Sequence, residues 1–155
     1  MITLTTKTDL KQIYEQDFNI WLEKTANLLK EGKFEELDLE NLIEEIEDMG
    51  KNNKRELESR LIVLVMHLLK WKYQPQKKSK SWLKTINEQR IQLKILLKYN
   101  PSLKPFITTI IDECYQDARK NASKETNLSL MTFPVDNPLS IEQILDRDFF
   151  PESNS

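Results

Sequence analysis

From Asp38 to Gln74 the chain contains no proline and carries apolar residues at helical spacing: Leu39, Leu42, Ile43, Ile46 and Met49, then Leu57, Leu61, Leu64, Leu68 and Trp71. Only Gly50 interrupts this stretch, and Pro75 stops it. Such a segment reads as one helix of about 36 residues, roughly 54 Å long at 1.5 Å per residue, and a rod of that length needs neighbours to cover its apolar side. Asp38 is the expected N-cap, with Glu40 in the first turn where the helix dipole favours negative charge. Gly50 is the expected bend, because a mid-helix glycine costs about 1 kcal/mol relative to alanine.

The remaining segments have the same period. A first helix is expected from near Asp9 to Lys30, with Ile13, Phe18, Trp21, Leu22, Thr25, Leu28 and Leu29 recurring at its spacing and Gly32 ending it. After Pro75 a turn leads to a helix over Ser81–Tyr99, carried by Trp82, Leu83, Ile86, Ile91, Leu93, Leu96 and Leu97. Pro101 fits a first helical position, and Leu103, Phe106, Ile107, Ile110, Ile111, Cys114, Tyr115 and Ala118 then supply an inner face. Residues 126–139, with Pro134 and Pro138, read as an extended loop that Phe133 tacks to the bundle. Ser140 and Gln143 form a capping-box pattern opening a short terminal helix, Ile141–Asp146, within 140–151.

With 155 residues, 39% hydrophobic and 31% charged, the composition fits one soluble domain spanning residues 1–155. The expected fold class is all-α: a single-domain bundle of four main helices, the second long, with a short C-terminal helix and flexible residues 1–8. Cys114 is the sole cysteine, which excludes an internal disulfide and fits a reducing compartment. The opening MITLTTKTDL lacks the apolar core of a signal peptide, and the longest apolar run is too short to span a bilayer. The expectation is a cytoplasmic protein without a membrane partner.

Charge is segregated rather than abundant. The formal net charge is −2, yet residues 31–48 hold nine acids against one lysine, and Ser59–Asn87 holds no acid. Electrostatic partners must therefore be drawn by local patches. Glu44 and Asp48, one turn apart, could receive a basic partner or Arg90; otherwise Glu40, Glu44, Glu45, Glu47 and Asp48 are a solvated face. The stretch from Lys70 to Lys84 combines Lys70, Lys72, Lys77, Lys78, Lys80 and Lys84 with Trp71, Tyr73 and Trp82. Cationic tracks with stacking aromatics bind single-stranded nucleic acid, but helical Trp71 and Trp82 fit a core better, leaving Tyr73 and the lysines available.

Other chemistries lack their parts. Two glycines, Gly32 and Gly50, cannot build a phosphate-cradling loop. One histidine, His67, and one cysteine do not supply a zinc set, and no Glu-x-x-His pair serves a di-metal bundle. No metal or cofactor is expected, and no residue is assigned as catalytic. His67, within Leu61–Leu69, reads as a hydrogen-bonded core histidine.

The strings YEQDFNIWL (14–22), LDLENLIEEIEDMG (37–50), RELESRLIVLVMHLLKW (55–71), PSL (101–103), TFP (132–134) and SIEQILDRDFFP (140–151) occur in this order. Together they resemble the bacterial "domain of unknown function 29" family from Tyr14 to Pro151. The resemblance implies a compact all-helical bundle and no activity. Tyr14, Asp17, Glu44, Glu45, Gly50, Glu56, Ser59, Arg60, His67, Lys70, Trp71, Gln74 and Trp82 match its polar pattern. Among these, Glu56, Arg60, His67, Lys70 and Gln74 lie on or beside one helical face. They form either a polar line along a groove or an interior network that fixes helix register.

Three functions follow in order of preference. The first is a helical binding or adaptor domain for a protein partner or a second copy. The second is nucleic-acid association through Lys70, Lys72, Lys77, Lys78, Lys80 and Lys84. The third is a hydrolase or nuclease using Glu45, Glu56, Arg60 and His67.

Overall fold

The computed structural model describes residues 2–153. The described chain is helical with no strand: α1 Ile2–Gln16, α2 Phe18–Lys30, α3 Leu39–Tyr73, α4 Lys80–Tyr99, α5 Leu103–Thr126 and α6 Ile141–Leu145. Short 3-10 turns lie at Phe34–Glu36, Pro75–Lys77 and Leu130–Thr132. The chain divides into two compact units, residues 1–52 and 53–155.

In the first unit, the expected opening helix is two. Asp17 leaves the helix with extended backbone, and its carboxylate accepts from the Ile20 amide at 3.1 Å, so it caps α2 and ends α1. The sequence carried that cap signal, but the apolar spacing of Ile13, Phe18 and Trp21 masked it. Helix α1 begins at Ile2, well ahead of Asp9; the expected flexibility of residues 1–8 falls on side chains outside the described ones. Gly32 closes α2 in the left-handed region at φ +73°, with the Lys33 amide reaching back to the Leu28 carbonyl at 2.9 Å. Asp38 stands at the head of α3 as expected, buried, its Oδ2 accepting from Asn41 Nδ2 at 2.7 Å.

Helix α3 is unbroken through Gly50. A Cβ built on Gly50 would meet nothing within 4 Å, and its φ is not positive. Gly50→Ala is therefore expected to stabilise the protein by about 0.5–1 kcal/mol, by removing unfolded-state freedom. A chemical-denaturation midpoint that falls in this variant would show that the glycine backbone is needed there.

The second unit holds the main core. Leu57, Leu61, Leu64 and Leu68 of α3 are fully buried with Ile86 and Leu93 of α4, Ile107, Tyr115 and Ala118 of α5, and Ile144 of α6. Complete burial of each large side chain contributes about 1.5–3 kcal/mol relative to exposure. Ser79 caps α4 by accepting from the Trp82 amide at 3.2 Å. Helix α5 starts at Leu103, two residues beyond Pro101, which lies in the preceding turn. Asn127, at φ 59°, terminates α5 in the left-handed region.

After α5 the chain is tied down by backbone carbonyls. Phe133 is buried as expected, and donors on α5 hold the segment around it. Tyr115 Oη donates to the Pro134 carbonyl at 2.6 Å, Gln116 to Val135 at 2.7 Å, and Arg119 Nε to Phe133 at 3.2 Å. The Ser140–Gln143 capping box forms in both directions and opens α6.

Candidate functional site

The polar line expected on α3 is present, and each member already has a partner. Glu56 and Arg60 pair at 2.9 Å, an i, i+4 arrangement, and Arg60 Nη1 also donates to Gln89 on α4 at 3.1 Å. Lys70 is buried; its Nζ donates to Glu125 on α5 at 2.9 Å and lies 4.7 Å from the Trp82 ring centre on α4. Gln74 donates to the Thr126 carbonyl at 3.3 Å. These contacts join the α3 segment to α4 and α5, with Lys70 and Gln74 buried and Glu56, Arg60 and Glu125 partly exposed.

His67 Nδ1 lies 2.9 Å from the Val63 carbonyl. A carbonyl only accepts, so Nδ1 carries the proton and Nε2 the lone pair. Burial holds the imidazole below its ordinary pKa, with the Val63 hydrogen bond working the other way and the Lys70 charge reinforcing the shift. Above the unfolded-chain pKa, about 6.5, both states are neutral and His67 is silent. As the pH falls below that value, the unfolded chain takes up the proton first, so stability falls until the lower folded-state pKa is passed. Denaturation midpoints between neutral and mildly acid pH should therefore drop less in His67→Gln than in the parent. Equal slopes would show that His67 does not titrate differently on folding.

The basic and aromatic stretch is largely turned on itself. Lys78 Nζ lies 4.7 Å from the Trp71 ring centre and donates to Ser153 Oγ at 2.6 Å. Lys72 stands 5.7 Å from the Tyr73 ring, and Lys84 is 4.0 Å from Glu88. Tyr73, expected to be available, is half-buried and packs edge-on to Phe133 with centroids 5.3 Å apart. Trp71 packs on Phe150 at 5.0 Å. Lys77 and Lys80 are exposed and have no such neighbour among the described residues. Lys72 also lines a crevice of about 420 Å3 with Leu69, Leu139, Gln143 and Phe150.

In the acidic segment, Tyr14 of α1 donates its hydroxyl to Glu45 Oε1. That hydrogen bond, with burial and the charges of Glu45, Glu44 and Asp48, pushes the phenol up to about 12. Tyr14 is thus one partner of this cluster within its own unit, and Lys11, 3.9 Å from Glu40, is another. Arg90, expected as a counter-ion for Glu44 and Asp48, is instead buried on α4. Its Nε donates to the Ile144 carbonyl at 2.9 Å and its Nη2 to Gln143 at 3.2 Å, with Phe150 5.4 Å away. Among the described residues, no group of three or more His, Cys, Asp or Glu is placed to hold a metal ion.

The feature that sequence reasoning missed is where the apolar rows lack cover. Leu39, Ile43, Ile46 and Met49, placed on the apolar stripe by their spacing, are each 52–60% exposed. By helical periodicity Leu39, Ile43, Ile46 and Gly50 lie on the row that Leu57, Leu61, Leu64 and Leu68 continue in the buried part of α3. Glu40, Glu44 and Glu47 line one side of this bare row and are exposed. A second bare row runs along the outer face of α4: Ile91, Ile95 and Tyr99, 45–76% exposed, beside Lys84, Lys94 and Lys98. Ile91 was grouped with Ile86 and Leu93 as an apolar position of this helix; its i, i+4, i+8 relation to Ile95 and Tyr99, opposite Ile86 and Leu93, is the signal that separates it.

The described residues thus form an all-helical fold with a tied polar line and bare apolar rows. The profile described as "Domain of unknown function DUF29" matches residues 13–150, and the chain belongs to that family. No curated protein and no solved structure matches it. Among the described residues no helix is long and apolar enough to cross a membrane.

Proposed function

We propose that this chain is a protein-binding domain whose docking surface is the bare face of α3 formed by Leu39, Ile43, Ile46 and Met49. One observation carries this reading. Among the described residues of the first unit, three large hydrophobics are buried and nine are exposed; in the second unit, twenty hydrophobics are buried and seven large ones exposed. Exposed apolar side chains occurring singly need no explanation, but a row at helical spacing rimmed by charge marks an interaction face.

The polar line supports a structural role beside it. Arg60, Lys70 and Gln74 spend their donors on α4 and α5, and Glu56 is paired to Arg60. That leaves recognition to the surface.

A photo-crosslinking residue at position 46 tests the reading. It should yield a specific crosslinked protein product in cells, while the same residue at exposed Lys120 should not. Ile46→Glu should abolish binding yet leave stability within about 0.5 kcal/mol, as for exposed positions generally. A position-46 probe that crosslinks nothing, or binding that survives Ile46→Glu, would overturn the proposal.

A further inference from the structure

We infer that the occupant of the α3 face is a second copy of this chain, which presents the outer face of its α4. This rests on the reading of α3 as a docking surface and names the partner. The two bare rows match in kind and differ in prevailing charge. On α3, Leu39, Ile43 and Ile46 are edged by Glu40, Glu44 and Glu47, with Lys11 3.9 Å from Glu40; on α4, Ile91, Ile95 and Tyr99 are edged by Lys84, Lys94 and Lys98, with one acid, Glu88, 4.0 Å from Lys84. Residues 39–50 and 91–99 span about 16 Å and about 12 Å of helix respectively, so one row covers most of the other.

The charge balance of the two units agrees. Residues 1–52 carry thirteen acidic and six basic side chains, a formal −7, whereas residues 53–155 carry twelve acidic and seventeen basic, a formal +5. Two α3 faces brought together would oppose Glu40, Glu44 and Glu47 to their own copies. An α3 face against an α4 face sets acids beside lysines, which steers the encounter and fixes which surfaces meet.

Gly50 adds an independent observation. It lies on the bare row, is helical, and faces open space where a Cβ would touch nothing. Inside one chain it only weakens the helix. Between two helices, a missing side chain at the end of the row allows close approach there.

Because the docking surfaces differ, each copy carries one of each. Such a contact is heterologous and builds a closed ring or an open chain unless the two copies exchange it reciprocally.

Charge reversal with complementation tests this. Sedimentation velocity on the full chain at low salt should show a weight-average mass that rises with concentration and falls back as salt is added. E40K/E44K/E47K and K84E/K94E/K98E, each alone, should weaken association by more than about tenfold, because like charges then face each other. All six positions are exposed, so circular dichroism and melting should confirm that both variants stay folded. An equimolar mixture of the two variants should associate again, since each supplies what the other lacks. Unchanged association of either triple variant, or a mixture that stays monomeric, overturns the inference. A parent chain that is monomeric at every concentration also overturns it. In that case a position-46 crosslink to a different protein would leave the docking reading intact, and the absence of any crosslink would remove both.

Discussion

Leu68→Ala is expected to lower the unfolding free energy by about 2–5 kcal/mol, the range for emptying a tightly packed site. Leu68 is fully buried on α3 among residues drawn from α4, α5 and α6. Removing its side chain loses both the transfer energy and the contacts of every atom that faced it. Helices on several sides limit how far the gap can collapse, which favours the upper part of the range. Leu61, equally buried and two turns earlier on the same row, should respond alike. Urea or guanidinium unfolding measures the effect directly. A midpoint within experimental error of the parent would show that this row is not the core. Ile46→Glu supplies the contrast on the same row: a harsher substitution chemically, with almost no expected cost.

Arg90→Met is expected to free the terminal segment more than it destabilises the whole. The guanidinium is buried, its Nη1 lacks an acceptor, and desolvation pulls its pKa down despite the nearby Asp146 and Asp148. Replacing a buried cation by an apolar side chain of similar length removes that desolvation cost, so the global change can be small. The local change is not. The carbonyls of Gln143 and Ile144 lose charge-assisted donors, each worth about 1.5–3 kcal/mol, and regain hydrogen bonds only by turning to water. Amide hydrogen exchange within 139–150 should accelerate by roughly tenfold to a hundredfold, a change of about 1.4–2.8 kcal/mol in local opening. Exchange in α4 and α5 should change far less. Unaltered protection of 139–150 would show that Phe150 and Ile144 hold the segment without the arginine.

Sequence periodicity reported the helices well and their surroundings less well. The long helix ending before Pro75, the Ser140–Gln143 box and the buried Phe133 were legible because each depends on local chemistry. The break at Asp17 was not, because a good N-cap was outweighed by apolar spacing that ran on in nearly the same phase. Leu39, Ile43 and Ile46 have the same spacing as Leu57, Leu61 and Leu64, yet one set is wet and the other dry. Spacing identifies a face, and tertiary packing decides what lies against it. Arg90 illustrates the complementary limit. Its charge suggested an acidic partner, whereas its acceptors are backbone carbonyls some fifty positions away, which no pattern of side chains announces.

The ties after α5 have an evolutionary corollary. Tyr115, Gln116, Arg119 and Arg90 all grip main-chain oxygens, and every residue type offers the same oxygen. Drift at Pro134, Val135 or Gln143 can therefore leave the grip itself intact, whereas the gripping side chains have no equivalent latitude. Natural variation across this part of the molecule should accumulate in the strand of chain being held and spare the hands that hold it.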